Sequence, residues 1–273
     1  MIPKLLFDIA KCKNFLTLIS AVNRSYPCND IVDFQRIKGA KIANDFQIPE
    51  PWSGDIINAP ILIISSNPAY SNIELYPNLS WSDPMIADFF MNRFKDRGLK
   101  YSWVYKNKVL NKDGTRGKSV RYWASIKKRV EELLGYIPKP GLDYCITELV
   151  HCKSSQQIGV ANALPECTKR FLSGQNGISG AKIIIAVGSF VRDYFNRTTN
   201  INGIPIIYLP HPNAFEPKKL SDHYTEQEID KMRELLVNNN ENRGIDYSDI
   251  DLPTEEEVKK FIDEQITTHN KRS

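Results

Sequence analysis

The chain has 273 residues, of which 41% are hydrophobic, and a net charge of +4 at pH 7. This length and composition can bury a full core, and no run approaches the roughly 18 apolar residues of a transmembrane helix. The first residues lack the apolar region and cleavage site of a secretory signal, so we expect a cytoplasmic protein without structural disulfides and without a membrane partner.

Charge is unevenly distributed along the chain. Residues 239–273 contain nine acidic and five basic residues, so this tail carries −4 and the preceding body carries +8. A basic body suits a polyanionic partner, although an ordinary solvated surface would give the same count. We expect one domain over residues 1–238 and an acidic tail over residues 239–273, with a linker at 238–240 and a short helix over 253–266.

Apolar runs and helical patterns alternate along the body. An N-terminal helix is expected over residues 4–22, and further helices over 84–94, 121–134, 164–172 and 189–195. The buried strands, which are short, β-branched and almost continuously apolar, are expected at 61–64, 144–150, 182–187 and 204–209. Parallel strands covered on both faces have this composition. The alternation predicts an α/β protein, a three-layer α/β/α sandwich with a central four-stranded parallel sheet.

Residues 95–121, the hairpin insertion, interrupt this alternation. An Asp-Gly pair at 113–114 predicts a turn between two strands. Basic residues there alternate with the aromatic residues Tyr101, Trp103 and Tyr105, as in segments that contact phosphates and stack on bases. The alternative is an exposed hairpin whose aromatic residues pack onto the domain.

Two polar segments follow predicted strands that are far apart in the sequence. Ser-Asn-Pro-Ala-Tyr at 66–70 follows the first strand, and His-Pro-Asn-Ala at 211–214 follows the last. Open α/β sheets place their chemistry at the carboxyl ends of parallel strands. We therefore expect Asn67 and His211 to meet in one site.

The order of these segments resembles the uracil-DNA glycosylase superfamily. Residues 61–70 are similar to its first motif, a strand with a Gly-x-Asn-Pro-Gly-like turn, and Thr-Glu-Leu-Val-His-Cys-Lys at 147–153 resembles the Asn-x-Val-Lys-Cys segment of its iron–sulfur branches. Residues 182–188 resemble the third strand with its glycine, and 208–214 the His-Pro-Ser motif. The resemblance covers residues 61–215 apart from the hairpin insertion, and implies the family fold and DNA N-glycosylase activity.

The resemblance gives the two polar segments catalytic roles. Asn67 would orient water beside the sugar as the glycosidic bond breaks, which a neutral amide does in any protonation state. His211 would donate a hydrogen bond to the oxygen of the departing base and stabilise its developing charge. The alternatives are a turn-forming Asn and a core or capping His.

Base recognition departs from the family pattern at two positions. Glu148 replaces the Asn that reads uracil, and an ionised carboxylate, which only accepts hydrogen bonds, suits the amine of cytosine rather than O4 of uracil. Ala69 replaces a bulky Tyr and leaves room at C5 of the base. Tyr70 and Trp81 are further expected base contacts, Trp81 as the stacking aromatic, with core packing as its alternative. A solvated or salt-bridged carboxylate is the alternative for Glu148.

The other expected contacts concern DNA and a cofactor. Phe215, four residues after His211, matches the side chain that wedges into the duplex, with a simple surface aromatic as the alternative. The remaining expected DNA contacts are Asn213, Gly188, Ser189, Lys118 and Arg121. Cys152 and Cys167 match one cysteine pair of the family's [4Fe–4S] site, which Cys12 and Cys28 would complete if the first helix turned back. Burial is the alternative for these cysteines, and Cys145 is expected in the core.

These observations predict a monofunctional DNA glycosylase, since no lysine nucleophile is expected at the site. The expected substrate is a 5-modified cytosine, and because phage DNA carries enlarged cytosines, an antiviral role would follow. The expected partner is DNA, with the chain a monomer. One alternative is a repair enzyme for uracil or another deaminated base, with Glu148 protonated. Another is a non-catalytic DNA-binding module on the same scaffold.

Overall fold

The structure is a computed structural model and describes residues 2–20, 26–216, 219–237 and 250–271. In chain order the strands are β1 (Ile61–Ser65), β2 (Val104–Tyr105), β3 (Lys108–Leu110), β4 (Arg116–Ser119), β5 (Tyr144–Glu148), β6 (Ile183–Val187), β7 (Asn200–Ile201) and β8 (Ile204–Leu209). The α-helices are α1 (Ile2–Ala10), α2 (Lys13–Ser20), α3 (Asn29–Ile37), α4 (Asp83–Met91), α5 (Gly98–Tyr101), α6 (Arg121–Leu134), α7 (Val160–Cys167), α8 (Ser173–Ile178), α9 (Ser189–Tyr194), α10 (Glu226–Val237) and α11 (Glu255–Asn270). A π-helical turn, Thr168–Leu172, joins α7 to α8, and 3₁₀ turns lie at Ala43–Asp45 and Leu220–Asp222.

The larger sheet has five strands in the order β5-β1-β6-β8-β7. Its first four strands pair in parallel, and they are the four that the apolar runs predict. The expected four-stranded sheet was wrong in its count, because β7 turns back through Asn202 and Gly203 and pairs antiparallel with β8. Both turn residues have positive φ, which suits a tight hairpin. The mixed α/β class is confirmed.

Both faces of this sheet are covered by apolar side chains. In β1, Leu62 and Ile64 join one buried cluster, whereas Ile61 and Ile63 join the other. This alternation follows from the two-residue period of a strand. On the second face, α6 contributes side chains at 126, 130 and 133, the spacing of one helix face. The carboxyl ends of the strands are thereby held at one edge, where the polar segments begin.

The hairpin insertion forms a separate antiparallel sheet, β2-β3-β4, with the predicted turn between β3 and β4. It is attached just beyond the first polar segment: the amide of Leu75 donates to Leu110 O at 2.9 Å, and that of Lys112 to Ile73 O at 2.9 Å. Trp103 is 2% exposed, and its indole donates to Asp88 at 2.8 Å. Trp103 therefore packs onto the domain, as the alternative reading of this segment expects.

The helix expected in the acidic tail is α11, and it packs onto the body. Val258 and Ile262 are fully buried in the same apolar cluster as the sheet. Lys100 of the hairpin insertion pairs with Asp263 at 2.9 Å. The expected linker at 238–240 lies outside the described residues. The expected N-terminal helix is two helices, α1 and α2, and its end at 21–22 is also outside them. Among the described helices, none is long and apolar enough to span a membrane.

Candidate active site

A cavity of about 550 Å³ opens at the carboxyl ends of β1, β5 and β8, and it is called the main cavity below. Asn67, Glu148 and His211 all line it. Their meeting follows from the sheet, because Ser65 at the end of β1 is paired with Glu148 at the end of β5, while His211 follows the end of β8. Segments separated by up to 144 positions thus deliver one amide, one carboxyl group and one imidazole to one place.

The Asn67 side chain is held by hydrogen bonds on both of its polar atoms. Its amide nitrogen donates to Ser154 O and to Pro68 O, each at 3.1 Å, and Ser66 Oγ donates to its amide oxygen at 3.1 Å. Two backbone acceptors fix the NH₂ group, so the amide oxygen keeps an acceptor position for a water. The residue is half-buried in the cavity wall.

The His211 ring is fixed by its neighbours. The backbone N–H of Asn213 donates to Nδ1 at 3.2 Å, so the proton of a neutral ring lies on Nε2, which can donate. Tyr122 stacks on the ring, with centroids 5.8 Å apart and planes 29° apart. Arg129 donates to Pro210 O at 2.6 Å and holds the preceding residue.

Glu148 is buried, with 5% of its surface exposed, and its Oε2 has no hydrogen-bond partner among the described residues. Burial, and then the neighbouring Glu50, raise the pKa of Glu148 well above its ordinary value, against the opposite influence of Lys153 and Arg93. A buried carboxyl without a partner favours its neutral form. The raised pKa opposes the ionised Glu148 that the sequence analysis expects, and the neutral acid can donate as well as accept.

A set of buried charges lies behind Glu148. Arg93 donates to Glu74 at 2.5 Å, and the Lys153 ammonium lies 3.3 Å from the other oxygen of Glu74. Burial acts to raise the pKa of Glu74, but Lys153 and Arg93 outweigh it and lower that pKa. Glu50, which accepts from Tyr76 at 3.0 Å, is the other carboxyl group there. Two cations thus face three carboxyl groups, and Glu148 is the one whose pKa burial and Glu50 raise.

Only some of the other residues expected at the site line the main cavity. Ala69, Tyr70, Lys118 and Asn213 line the main cavity. Trp81 does not: it is 4% exposed and packs edge-on against Phe261 at 4.7 Å, because its position after the first motif faces the core. Four other expected residues do not line the main cavity. Gly188 and Ser189 line a small adjoining cavity together with His211. Arg121 and Phe215 are exposed.

Sequence reasoning missed several residues of the cavity wall. Lys153 and Arg93 are buried charges, which a sequence pattern assigns to the surface. Tyr122 begins α6, and its hydroxyl donates to Ser65 Oγ at 3.0 Å, which links that helix to the end of β1. Asn111 comes from the hairpin insertion. Of these residues, only Lys153 could have been found from the sequence, because it is the last residue of the segment that resembles a family motif.

Cys12, Cys28, Cys152 and Cys167, the cysteine group, are all buried and reduced. Burial, and then Cys12, raise the pKa of Cys28 to about 11. Burial raises the pKa of Cys167 to about 12 and that of Cys152 well above its ordinary value. Cys12 and Cys28 add to the rise in both cases. The four thiols belong to one buried cluster, so the segments around residues 12, 28, 152 and 167 meet in the same part of the core.

The cysteine group was tested for its fit to a cofactor. Among the described residues, no three His, Cys, Asp or Glu side chains are arranged to hold a single metal ion. A [4Fe–4S] cluster spreads four thiolates around a larger body, so this finding bears on a mononuclear ion only. The His151 backbone N–H donates toward Cys167, and Arg170 lowers the pKa of both Cys28 and Cys167. Four convergent thiols with these sources of positive potential fit a cluster.

The main cavity thus brings together a fixed amide, an imidazole that can donate from Nε2 and a carboxyl group with a raised pKa. Such a set can orient water, donate to a leaving group and pair with a planar polar edge. No model of a known protein family matches the chain. A search of curated proteins also finds no significant match, so function is argued from the geometry of the site.

Proposed function

We propose that this chain is a monofunctional DNA glycosylase of the uracil-DNA glycosylase superfamily, with the three-layer α/β/α fold of that family. The observation that carries the proposal is the meeting of Asn67, Glu148 and His211 in one cavity at the ends of parallel strands. Each of the three is the residue that the resemblance assigns to water, base edge or leaving group. Burial of both sheet faces supports the layered fold.

The proposed reaction begins when the target nucleotide rotates out of its stack and its base enters the main cavity. The bond between the base nitrogen and C1′ breaks, and its electron pair leaves with the base. His211 Nε2–H donates to the base oxygen on which the negative charge accumulates. Asn67 Oδ1 accepts from a water whose oxygen bonds to C1′, and the proton that this water loses neutralises the departing base anion, so the products are a free base and an abasic site.

Phe215 would support the rotation of the base. Its side chain is fully exposed, four residues beyond His211, in a loop where Ala214 N donates to His211 O at 2.8 Å. An exposed aromatic side chain so near the cavity mouth can fill the gap that the rotated base leaves. Lys118 and Arg121 are exposed on the neighbouring side and would contact phosphates.

We propose a 5-modified cytosine as the substrate. A neutral Glu148 can accept from the exocyclic amine of cytosine and donate to N3, which gives two hydrogen bonds to one base edge. Ala69 lines the cavity with a single methyl group where a bulky residue would oppose a substituent at C5. The cavity volume of about 550 Å³ lies in the range of pockets for ligands larger than one pyrimidine ring. Enlarged cytosines in phage DNA make antiviral defence the proposed setting.

One observation favours a second candidate function, the excision of uracil. The raised pKa of Glu148 favours the protonated form, which can also accept from N3–H of uracil and donate to O4. Glu148 therefore fits both edges, and the space beside Ala69 distinguishes the candidates. A Tyr at 69 should lower excision of a 5-modified cytosine about 10-fold or more and spare an unsubstituted base.

The test is a panel of oligonucleotides, each with one uracil, cytosine, 5-methylcytosine, 5-hydroxymethylcytosine or glucosylated hydroxymethylcytosine. Released bases are identified by mass spectrometry for wild type and Ala69→Tyr. We expect release of the enlarged cytosines by wild type and their selective loss in the variant. Release of uracil alone would support the second candidate, and DNA binding without any release would make the chain a DNA-binding module.

A lysine of the main cavity, Lys153, could in principle act as a nucleophile. The Lys153 ammonium lies 3.3 Å from Glu74 and 3.5 Å from the centre of the Tyr76 ring, on the Glu148 side. A nucleophile for strand cleavage must instead reach C1′, beside Asn67 and His211. We therefore expect no covalent protein–DNA product when borohydride is added during the reaction, whereas trapping that depends on Lys153 would indicate a lyase.

We also propose that the cysteine group holds a [4Fe–4S] cluster. Its four members supply the required thiolates. When bound, the cluster would join the turns around Cys12 and Cys28 to the segment after β5 and to the end of α7. None of the four cysteines lines the main cavity, so the role of the cluster would be to stabilise the fold rather than to react.

A further inference from the structure

A second cavity, of about 370 Å³, lies between the end of α11 and the body, and it is called the α11 cavity below. Its walls come from residues 38–47, from residues 70–81, from Lys112 of the hairpin insertion and from residues 265–269 of α11. Tyr70 is the one lining residue that it shares with the main cavity. The α11 cavity is therefore a separate space, and its volume suits a small ligand.

Lysines outnumber carboxylates in the wall of the α11 cavity. Lys38 and Lys112 line it, with Asp45 as the one carboxylate. Burial lowers the pKa of the half-buried Lys112, against the opposite influence of Asp45, and the Lys112 ammonium makes no hydrogen bond or close ion pair with the described residues. Asp45 Oδ2 already accepts from the backbone N–H groups of Lys41 and Ile42, at 2.8 Å and 3.0 Å. An anionic ligand would therefore be favoured beside Lys112.

Amide side chains form another part of the wall. Asn44, Asn72 and Gln265 line the cavity and are exposed or half-buried, so a ligand can reach them. None of the three makes a side-chain hydrogen bond with the described residues. An amide offers a donor and an acceptor side by side, which matches the edge of a nucleobase, adenine above all. A phosphate beside Lys112 and a base against the amides are the two ends of a nucleotide.

We propose that the α11 cavity binds a nucleoside monophosphate, with its phosphate at Lys112 and Lys38 and its base against the amide side chains of the wall. The inference goes beyond the proposed function, because no step of base excision uses this cavity. A free nucleotide and one nucleotide of a DNA strand share the required chemistry, and the experiment distinguishes these two sources.

The test is calorimetric titration of the full chain with deoxyadenosine monophosphate, with deoxyadenosine and with inorganic phosphate. Lys112→Ala removes the half-buried cation of the wall. Asp45→Asn removes the negative charge and keeps an oxygen that can accept from the N–H groups of Lys41 and Ile42. Lys127→Ala is the matched control, because Lys127 is a half-buried lysine of α6 that lines neither cavity.

The two cavity variants should change the affinity in opposite directions. Wild type should bind the nucleotide about 10-fold or more tighter than the nucleoside or phosphate alone, and Lys112→Ala should weaken nucleotide binding about 10-fold, the size of one charged hydrogen bond. Asp45→Asn should tighten it about 2- to 5-fold, since a like charge is removed. Lys127→Ala should keep the wild-type Kd, and so should Asn67→Ala, because Asn67 lines only the main cavity.

An unmodified single-stranded oligonucleotide then identifies the source of the nucleotide. Displacement of the bound nucleotide by the oligonucleotide would assign the cavity to a DNA strand, and persistence of binding would assign it to a free nucleotide.

The proposal is overturned if the nucleotide does not bind at concentrations on the order of 1 mM, or if it binds no better than the nucleoside. Wild-type affinity in a folded Lys112→Ala, or loss of binding in Asn67→Ala, would also overturn it. Melting temperatures show whether each variant is folded, and Asp45→Asn decides the matter if Lys112→Ala is not. Because excision is not measured, failure here leaves the proposed function standing.

Discussion

The main cavity and the cysteine group both assemble from distant segments, and both include residues just after β5, yet their polar groups are partnered differently. In the cavity, Arg93 and Lys153 stand within bonding distance of Glu74, while burial and Glu50 raise the pKa of Glu148. In the cysteine group, the thiols raise one another's pKa and Arg170 is the cation that acts on them. The cavity is electrostatically complete by itself, whereas four thiolates could coexist only around a positively charged centre. Under the proposed function, binding and structural tasks would thus be separated in one fold.

The largest effect should come from the two residues placed at the reacting bond. Asn67→Ala and His211→Ala should each lower excision about 100-fold or more, as expected for losing a water-orienting group or a leaving-group donor. DNA binding and melting temperature should change little. Asn162→Ala and His269→Ala, the same residue types away from the cavity, are the controls. Wild-type rates in both cavity variants would refute the site.

Substitutions in the cysteine group should lower stability and leave excision largely unchanged. Cys152→Ser or Cys167→Ser should remove the bound iron and the brown colour of anaerobically purified protein, and should lower the melting temperature. Excision per folded molecule should persist, because the group is not in the cavity wall. Cys145→Ser, a buried cysteine of β5 outside the group, should keep its iron. Colourless, iron-free wild type would leave these cysteines as packing residues.

Excision and stability should both depend on pH through Glu148. Its pKa is raised, so the donor–acceptor form is present below the folded value and is lost as pH rises through it. Excision should then fall about 5- to 150-fold, the range for one base contact. The unfolded chain releases this proton at the ordinary pKa, so stability should also decline between the two values. Glu148→Gln keeps a donor and an acceptor and should flatten both profiles; an unchanged profile would mean that another group titrates.

The smallest effect should come from the exposed cations at the cavity mouth. Lys118→Ala and Arg121→Ala should each weaken DNA binding about threefold and reduce the slope of log K against log salt by about 1. The loss should be similar for modified and unmodified DNA, because phosphates carry no sequence information. Lys139→Ala, beyond α6 and away from the mouth, is the control. An unchanged salt slope in both variants would place the DNA path elsewhere.

The sequence predicted the parts of the fold that follow from continuous apolar runs. The sequence located four strands and α6 closely, because a β-branched apolar run and an apolar i, i+4 pattern are each compatible with few other secondary structures. β7 was missed because a two-residue strand has no periodicity, although Asn202 and Gly203 form a recognisable turn. For the site, the residues at strand ends could be predicted, since topology alone brings them together.

The rest of the site depends on tertiary contacts that no local pattern encodes. Arg93 and Lys153 are buried only because they meet Glu74, which is far from both in the sequence. Trp81 was expected at the base and lies in the core, since an aromatic residue after a motif fits either place. The pKa of Glu148 could not be predicted either, because it depends on burial and on Glu50 rather than on its own sequence context.

The hairpin insertion touches the end of the chain as well as the cavity. Its turn at Gly114 lies against Ile266, where an added Cβ would come within 3.2 Å, and Tyr101 donates to Asp263 at 3.2 Å. The part of the cavity wall that the hairpin insertion supplies is therefore supported from behind by α11. Removing α11 should accordingly disturb selection among bases before it disturbs the residues at the strand ends.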